Sequence, residues 1–290
     1  MSKITKLGLG IVAFEGTEHI KNITYEIRNY VDEIVVCLQR LSYHGDPIDV
    51  NDINEVEKLK TVGLIDKIIW YEPDSDLNCL NAVKAHGRPE ESARVIETFK
   101  RNFILDNLEA DGCSHSMIID SDEFYDGDEF RRAKAYIDMR DDIHVSYCQY
   151  INYWRDYSHY LVWPFKSFVP FISESKYRFA FRCNCFRFPV DPTRIYKLEQ
   201  SEKYEIFKWD ALKMHHLSWI RLDIRKKIFS WSSKKYFHKD LPDYVYKRYM
   251  GWKEYECAVI LFNVPNNKVI VEKIKKQYIH PHYFLSDSVI

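Results

Sequence analysis

The sequence predicts an α/β fold: a mostly parallel sheet flanked by helices, followed by a mixed strand region and a helical, basic C-terminal part. Three observations predict it. Short apolar runs alternate with helical periodicity through the first half of the chain. Those runs are apolar almost throughout, as in strands covered on both faces, rather than at every second residue. No internal repeat, GxGxxG or Walker sequence points to another architecture.

The strand-like runs are Leu7 to Phe14, Glu33 to Leu38, Lys67 to Tyr71 and Ser116 to Ile119, and helical patterns lie near Thr17 to Tyr30, Asn51 to Val62 and Pro89 to Leu108. Alternation of this kind builds βαβ units with right-handed crossovers, and ligands of such sheets sit beyond the carboxyl ends of the strands. Phe14-Glu15-Gly16, Gln39-Arg40 and Asp120-Ser121-Asp122 fall at such ends. Asp128 to Asp138 then reads as a helix, and Ile143 to Trp154 alternates as one or two strands. The aromatic stretches Tyr160 to Phe171 and Phe179 to Phe188 suit antiparallel additions to the sheet. From Arg221, RLDIRKKIFSWSSKKYFHK and YVYKRYMGWK interleave cations with aromatics, as an amphipathic helical pair would. The expected division is 1–130, 131–220 and 221–290.

A chain of 290 residues, 46% hydrophobic and 16% aromatic, can bury a large core, which excludes a disordered or low-complexity protein. No run of about 18 uncharged apolar residues occurs, and Leu7 to Phe14 is too short for a spanning helix or a signal peptide, so a cytoplasmic protein is expected. Seven cysteines, an odd number without a small-domain framework, suggest reduced thiols. Cys183 and Cys185 form a CxC without the second pair of a structural zinc site, so buried thiols are the expected reading.

The net charge of −1 conceals a polarity. Residues 1–130 carry 13 Lys and Arg against 26 Asp and Glu, a net −13, whereas residues 131–290 carry 29 against 17, a net +12. An acidic half that binds a cation and a basic half that faces an anionic molecule would suit a transferase with a charged acceptor; solvated surface is the plainer reading.

Asp120 and Asp122 close a short apolar strand, and residues at i and i+2 serve one site only if the strand ends there and the backbone turns. Ser121 and the Asp126-Gly127-Asp128 turn make that bend plausible. Hard carboxylate oxygens suit Mg²⁺ or Mn²⁺, which keep positions open for water and phosphate oxygens. Asp74-Ser75-Asp76 is a second DSD after an apolar run, but Pro73 and its Asn-rich continuation read as a solvated turn.

Around the later DSD, Arg101-Asn102 on a helical run, the turn Ala110-Asp111-Gly112, the strand Met117-Ile118-Ile119 and Asp120-Ser121-Asp122 follow one another closely. That order resembles the central motif of GT-A glycosyltransferases, and of glycosyltransferase family 2 in particular, over about a third of the chain. The resemblance implies a GT-A-like, Rossmann-like fold and a metal-dependent glycosyltransferase, inverting, that moves a hexosyl or pentosyl group from a nucleotide-sugar, with a UDP-sugar favoured. It implies Mn²⁺ or Mg²⁺ on Asp120 and Asp122, and a nucleotide pocket that includes Ala13, Phe14, Gln39, Arg101, Asp120 and Ser121. Lys213-Met214-His215-His216-Leu217-Ser218-Trp219 resembles the segment that returns a histidine to the metal, with His216 the choice over His215. The resemblance departs at the second strand, where many members hold uracil with an aspartate and this chain offers Cys37 or Gln39. Of the acidic residues on the acceptor side, Asp156, Glu174 and Asp191, the first is named as general base for its aromatic setting, with a surface ion pair as the alternative. His280-Pro281-His282 is a further candidate metal or phosphate contact, and Pro281 keeps its histidines out of one helix.

For the acceptor, the basic and aromatic C-terminal part suits phosphate contact and base stacking, which would make a hydroxymethylated base in phage DNA the first choice. The same composition suits an anionic membrane face beside a glycan, lipopolysaccharide or lipid-linked acceptor. The non-enzyme alternative is an inactive nucleotide- or nucleic-acid-binding module.

Overall fold

The computed structural model describes residues 3–14, 16–42, 45–86, 89–162, 167–181, 186–199, 201–230, 241–253 and 270–273. Strand β1 (Leu7–Val12) leads through a 3-10 turn to helix α1 (Ile20–Ile27), then β2 (Glu33–Leu38), α2 (Val50–Thr61) and β3 (Lys67–Trp70). Two helices follow, α3 (Leu77–His86) and α4 (Pro89–Ala110), before β4 (His115–Asp120), the short β5 (Glu123–Phe124) and α5 (Gly127–Asp138). The second half runs β6 (Val145–Trp154), β7 (Asp156–Val162), β8 (Phe168–Glu174), β9 (Tyr204–Ile206), β10 (Lys213–Trp219), α6 (Ile224–Ser230), α7 (Leu241–Gly251) and β11 (Ile270–Lys273).

The fold is α/β, as expected. The main sheet has the order β11-β7-β6-β8-β4-β1-β2-β3. Its β3-β2-β1-β4 half is parallel, whereas β8, β6, β7 and β11 join antiparallel. Strand β10 runs parallel to β6 and pairs antiparallel with β5.

Both faces of the parallel half are covered, and β1 shows how. Leu7, Leu9 and Ile11 point into a core shared with Ile23 and Ile27 of α1 and Phe130 of α5. The intervening positions face α4, which lies so close that a Cβ on Gly10 would stand 2.3 Å from Ile104 Cγ2. A side chain at position 10 would push that helix off the sheet. Ile104, Leu105 and Leu108 of α4 pack instead on Val35, Cys37 and Ile118. This fixes the helix that bears Arg101.

The expected strands and helices of the first half are present with ends shifted by a residue or two, and the Thr17 to Tyr30 pattern tightens into 3-10 turns at Thr17–His19 and Arg28–Tyr30; the stretch Phe179 to Phe188 is a correction, since its described residues form no strand beyond an isolated bridge from Phe179 to Tyr196. The continuation of the first DSD is a correction: it is a helix, α3, not a plain turn. Asp76 makes that possible, because its carboxylate accepts the N–H of Cys79 at 3.0 Å and so caps the first turn. The C-terminal part holds the expected helices, and it also returns β11 to the sheet edge beside β7. Trp154 of β6, Leu161 of β7, Ile228 of α6 and Val245 and Tyr249 of α7 share one apolar cluster, with Trp219 packed against it.

Cys37, Cys79, Cys113 and Cys148 are buried free thiols. Cys183, Cys185 and His280-Pro281-His282 lie outside the described residues. No helix among the described residues is long and apolar enough to cross a membrane.

Candidate functional site

The carboxyl ends of β1, β2 and β4 converge, and the later DSD stands where they meet. Ser121 N–H donates to the carbonyl of Val12 at 3.0 Å, which continues the β1–β4 ladder by one residue before the chain turns. The turn is then held from the other side, because Leu217 of β10 donates its N–H to the carbonyl of Asp122 at 2.8 Å. The bend that both carboxylates need is thus built from two strands far apart in sequence.

The two aspartates nevertheless meet different partners. Asp120 faces Arg101, whose guanidinium is fully buried and lies 2.9 Å from one carboxylate oxygen and 3.1 Å from the other. Arg101 also donates to Glu97 at 2.6 Å. Burial would raise the Asp120 carboxyl, but Arg101, then Arg194, hold it below the usual carboxylate range. Arg194 lies beneath the turn and donates both terminal nitrogens to Glu123 at 2.6 Å, and one of them to Asp191 at 2.8 Å. Burial raises Glu123 despite that fork. Asp120, Glu123, Asp191, Arg101 and Arg194 therefore form one buried charge network that fixes the strand end.

Asp122 is buried and points the other way. Arg221 donates to its Oδ2 at 2.5 Å, Lys227 Nζ stands 3.5 Å from the same oxygen, and His216 Nε2 stands 3.6 Å from Oδ1. Burial alone would raise this carboxyl; Arg221, then Lys227, hold it well below the usual range, and His216 adds to them only when it is protonated. His216 Nδ1 donates to the side-chain oxygen of Asn152 at 2.5 Å. With the proton on Nδ1, Nε2 turns a lone pair towards the carboxylate oxygen. In that state a carboxylate oxygen and an imidazole nitrogen could both contact one small cation, and a histidine that does so commonly donates its other ring N–H to an oxygen, as His216 does to Asn152. Asp122 and His216 are thus the two groups that could hold Mn²⁺ or Mg²⁺, with other oxygens needed to complete the shell. No cluster of three or more His, Cys, Asp or Glu positioned for a metal occurs among the described residues. Asp120, spent on Arg101, does not join Asp122 and His216.

Strand alternation separates the two histidines. His215 turns into the core, where Tyr153 Oη is 2.7 Å from its Nδ1 and Phe124 packs edge-on. Burial, with a smaller push from Lys213, brings its imidazole down to about 3, so it stays neutral.

Other expected site residues take structural partners. The Ala13 carbonyl accepts Lys100 Nζ at 3.2 Å, and burial lowers that lysine's pKa. Gln39 is buried, and its amide nitrogen donates to the carbonyl of Leu41 at 2.7 Å. Phe14 packs against the main core. Asn102, beside Arg101, clasps the backbone of Phe179 through both its amide atoms, at 2.9 and 2.8 Å. Asp156 is not brought to the DSD: it opens the turn into β7, where its carboxylate accepts from Ser158 N–H at 2.7 Å and lies 2.8 Å from His159 Nδ1. Arg194, Arg221, Lys227, Lys100 and Asn152 are the site residues that sequence reading missed.

Beside Asp122 lies an open cleft of about 450 Å³, bounded by Gly16 to Glu18, by Asp49 to Glu55 at the start of α2, and by Arg221 to Lys227. Lys226 spans it, 3.5 Å from Asp49 and 3.1 Å from Asp52. Thr17 donates its hydroxyl to Asp52 at 2.6 Å.

No protein-family model and no curated protein sequence matches this chain. Among solved structures it is similar to S. aureus TarS, with a TM-score of 0.32 and 14% identity over 50% of this chain and 22% of that one. It is also similar to the mannosyltransferase Ktr4p from S. cerevisiae, with a TM-score of 0.32 and 10% identity over 54% of this chain and 41% of that one. The chain thus spans less than half the length of either, and likeness of that extent carries no argument about activity.

Proposed function

We propose that this chain is a glycosyltransferase that takes a sugar from a nucleotide-sugar, first of all a UDP-sugar, with Mn²⁺ or Mg²⁺ held by Asp122 and His216. The observation that carries this reading is the pair of facing acceptors, Asp122 Oδ1 and His216 Nε2 at 3.6 Å, beyond the carboxyl ends of parallel strands. When bound there, the ion would supply positive charge for a departing diphosphate. The chain's own part is to hold that place rigid: Asn152 fixes the imidazole, Arg101 and Arg194 fix the strand end through Asp120 and Glu123, and β10 fixes the turn. The cleft beside it offers room for the nucleotide, with Asp52 and Thr17 on its wall.

The acceptor in this reading is a hydroxyl of a glycan ahead of a hydroxymethylated base in DNA. Trp219, Tyr249 and Trp252 pack with Trp154 and His159 rather than forming an exposed row for stacked bases.

The test is a binding and hydrolysis screen of nucleotide-sugars with Mn²⁺, run on the parent chain, Asp122→Asn and His216→Ala, together with Mn²⁺ binding followed by electron paramagnetic resonance without any donor. The reading expects one nucleotide family to bind and turn over, and both variants to weaken Mn²⁺ about 10-fold or more. Unchanged Mn²⁺ affinity in both variants would remove the metal; inertness towards every donor would remove the transferase and leave a binding module. Oligonucleotide binding that falls steeply with salt would restore DNA as acceptor.

A further inference from the structure

The two oxygens of Asp122 face different kinds of partner. Oδ1 faces His216 Nε2 at 3.6 Å, the place assigned above to a divalent cation. Oδ2 already accepts from Arg221 at 2.5 Å and has Lys227 Nζ at 3.5 Å. One buried carboxylate therefore stands beside two positive charges of the chain itself. An ion bound at Oδ1 would lie a few ångström from both, and like charges at that range repel appreciably where burial limits screening.

The two cations differ in what holds them. Arg221 is 4% exposed, and Gly16, in the left-handed region at φ 75°, lies so close that a Cβ there would stand 1.1 Å from the guanidinium. That side chain is packed in. Lys227 is 32% exposed and reaches Asp122 from α6 on a flexible stem. The helix is anchored by other residues. Ile224 and Ile228 pack in the cluster with Trp154 and Val245, and Lys226 pairs with Asp49 and Asp52 at the start of α2. Carboxylates are at hand for an ammonium that turns away, since Glu18, Asp49, Asp52, Glu55 and Asp223 line the cleft with Lys227. The ammonium can thus swing off Asp122 while α6 stays in place.

We propose that Lys227 is an intramolecular competitor for the divalent cation: its ammonium holds Asp122 when no ion is bound, and a metal ion loads by turning it towards the carboxylates of the cleft. This rests on the metal reading above and gives that site a latch. The ammonium keeps a buried carboxylate balanced in the absence of metal, and in doing so it lowers the affinity for metal.

Two measurements on the full chain test the latch. Mn²⁺ binding, followed by electron paramagnetic resonance without any donor, tightens about 5-fold in Lys227→Ala and in Lys227→Gln, and stays within about 2-fold of the parent in Lys227→Arg, which keeps the charge. Acylation of the parent by a mild amine reagent, read by peptide mass spectrometry, labels Lys227 about 3-fold faster once Mn²⁺ is saturating, while the exposed Lys203 is labelled at an unchanged rate. Mn²⁺ affinity that is unchanged or weaker in both neutral variants, equal tightening in Lys227→Arg, or labelling of Lys227 indifferent to Mn²⁺ overturns the competition; the dependence of Mn²⁺ on Asp122 and His216 then still supports the metal reading. Mn²⁺ binding confined to the neutral variants is the strongest result in its favour. Absence of Mn²⁺ binding to the parent and to both neutral variants overturns the competition and the metal reading together.

Discussion

The chain carries the same tripeptide twice, and the two copies have different fates. Asp74-Ser75-Asp76 sits in a 3-10 turn after β3, where Asp74 is exposed and Asp76 caps α3 and accepts the hydroxyl of Tyr71 at 3.0 Å. Asp120-Ser121-Asp122 ends a central strand, and every charge near it is answered by a buried cation. Both copies follow apolar strands. Position in the sheet decides: β3 ends the order of the described strands, whereas β4 lies between β1 and β8, under α4 and crossed by β10 at its exit.

Removing one cation from each neighbourhood gives the widest contrast. Arg101→Ala leaves Asp120 and Glu97 without their buried partner and is expected to cost about 3 kcal/mol or more in urea unfolding. Arg40→Ala, which breaks the exposed pair with Glu72 near the first copy, should cost less than about 1 kcal/mol. Equal losses would mean that the second network is as solvated as the first pair.

Turnover sharpens the contrast next. With whichever nucleotide-sugar proves to be the donor, Asp122→Asn should lower kcat/KM about 100-fold or more, while Asp74→Asn should leave it within about 2-fold. A comparable fall for Asp74→Asn would reassign the site.

Acid reports on the strand that crosses only the second copy. His215 titrates near 3 when folded, far below an ordinary imidazole, so on acidification the unfolded chain takes up its proton first. Its contribution is complete above about pH 6.5 and is lost by about 1.4 kcal/mol for each pH unit below that, until about pH 3. His215→Gln should flatten this part of the pH–stability curve, and a slope unchanged in that variant would assign it elsewhere.

The smallest effect belongs to the first copy. Asp76→Ala removes the cap of α3 and should cost about 1 kcal/mol in thermal unfolding, with no change in donor binding. Asp74→Asn should not shift stability measurably.

The parallel half was legible because each of its strands is a short apolar run bounded by turn residues, and because α1, α2 and α4 carry helical periodicity. Helix α3 was not, since Asn78 and Asn81 look like turn formers and its main signal is a single capping aspartate. Arg101 and both aspartates of the later DSD were visible because they lie within one supersecondary unit. The partners of Asp122 were harder. Asn152, His216, Arg221 and Lys227 come from β6, β10, the approach to α6 and α6 itself, and only tertiary pairing brings them together. The choice of His216 over His215 has a simple physical counterpart, since neighbours on a strand face opposite ways and only one can meet the carboxylate. Asp156 has only local partners in the structure: its aromatic neighbours Tyr153 and Trp154 are core residues, and its carboxylate holds a turn. Arg194 carries a weak local signal in Asp191-Pro192-Thr193-Arg194, where Asp191 accepts the N–H of Thr193 at 2.9 Å. That marks a tight turn without telling that its arginine is buried against Glu123.

The long reach of those ion pairs has a consequence for the order in which the protein is made. Asp120, Asp122 and Glu123 leave the ribosome with the acidic half of the chain, while Arg194, Arg221 and Lys227 are synthesised tens of residues later. Until they arrive, the strand end carries carboxylates that burial disfavours and only Arg101 to balance them. The nascent acidic half can therefore gather its apolar strands and helices early, but its site stays open and hydrated until the basic half folds over it.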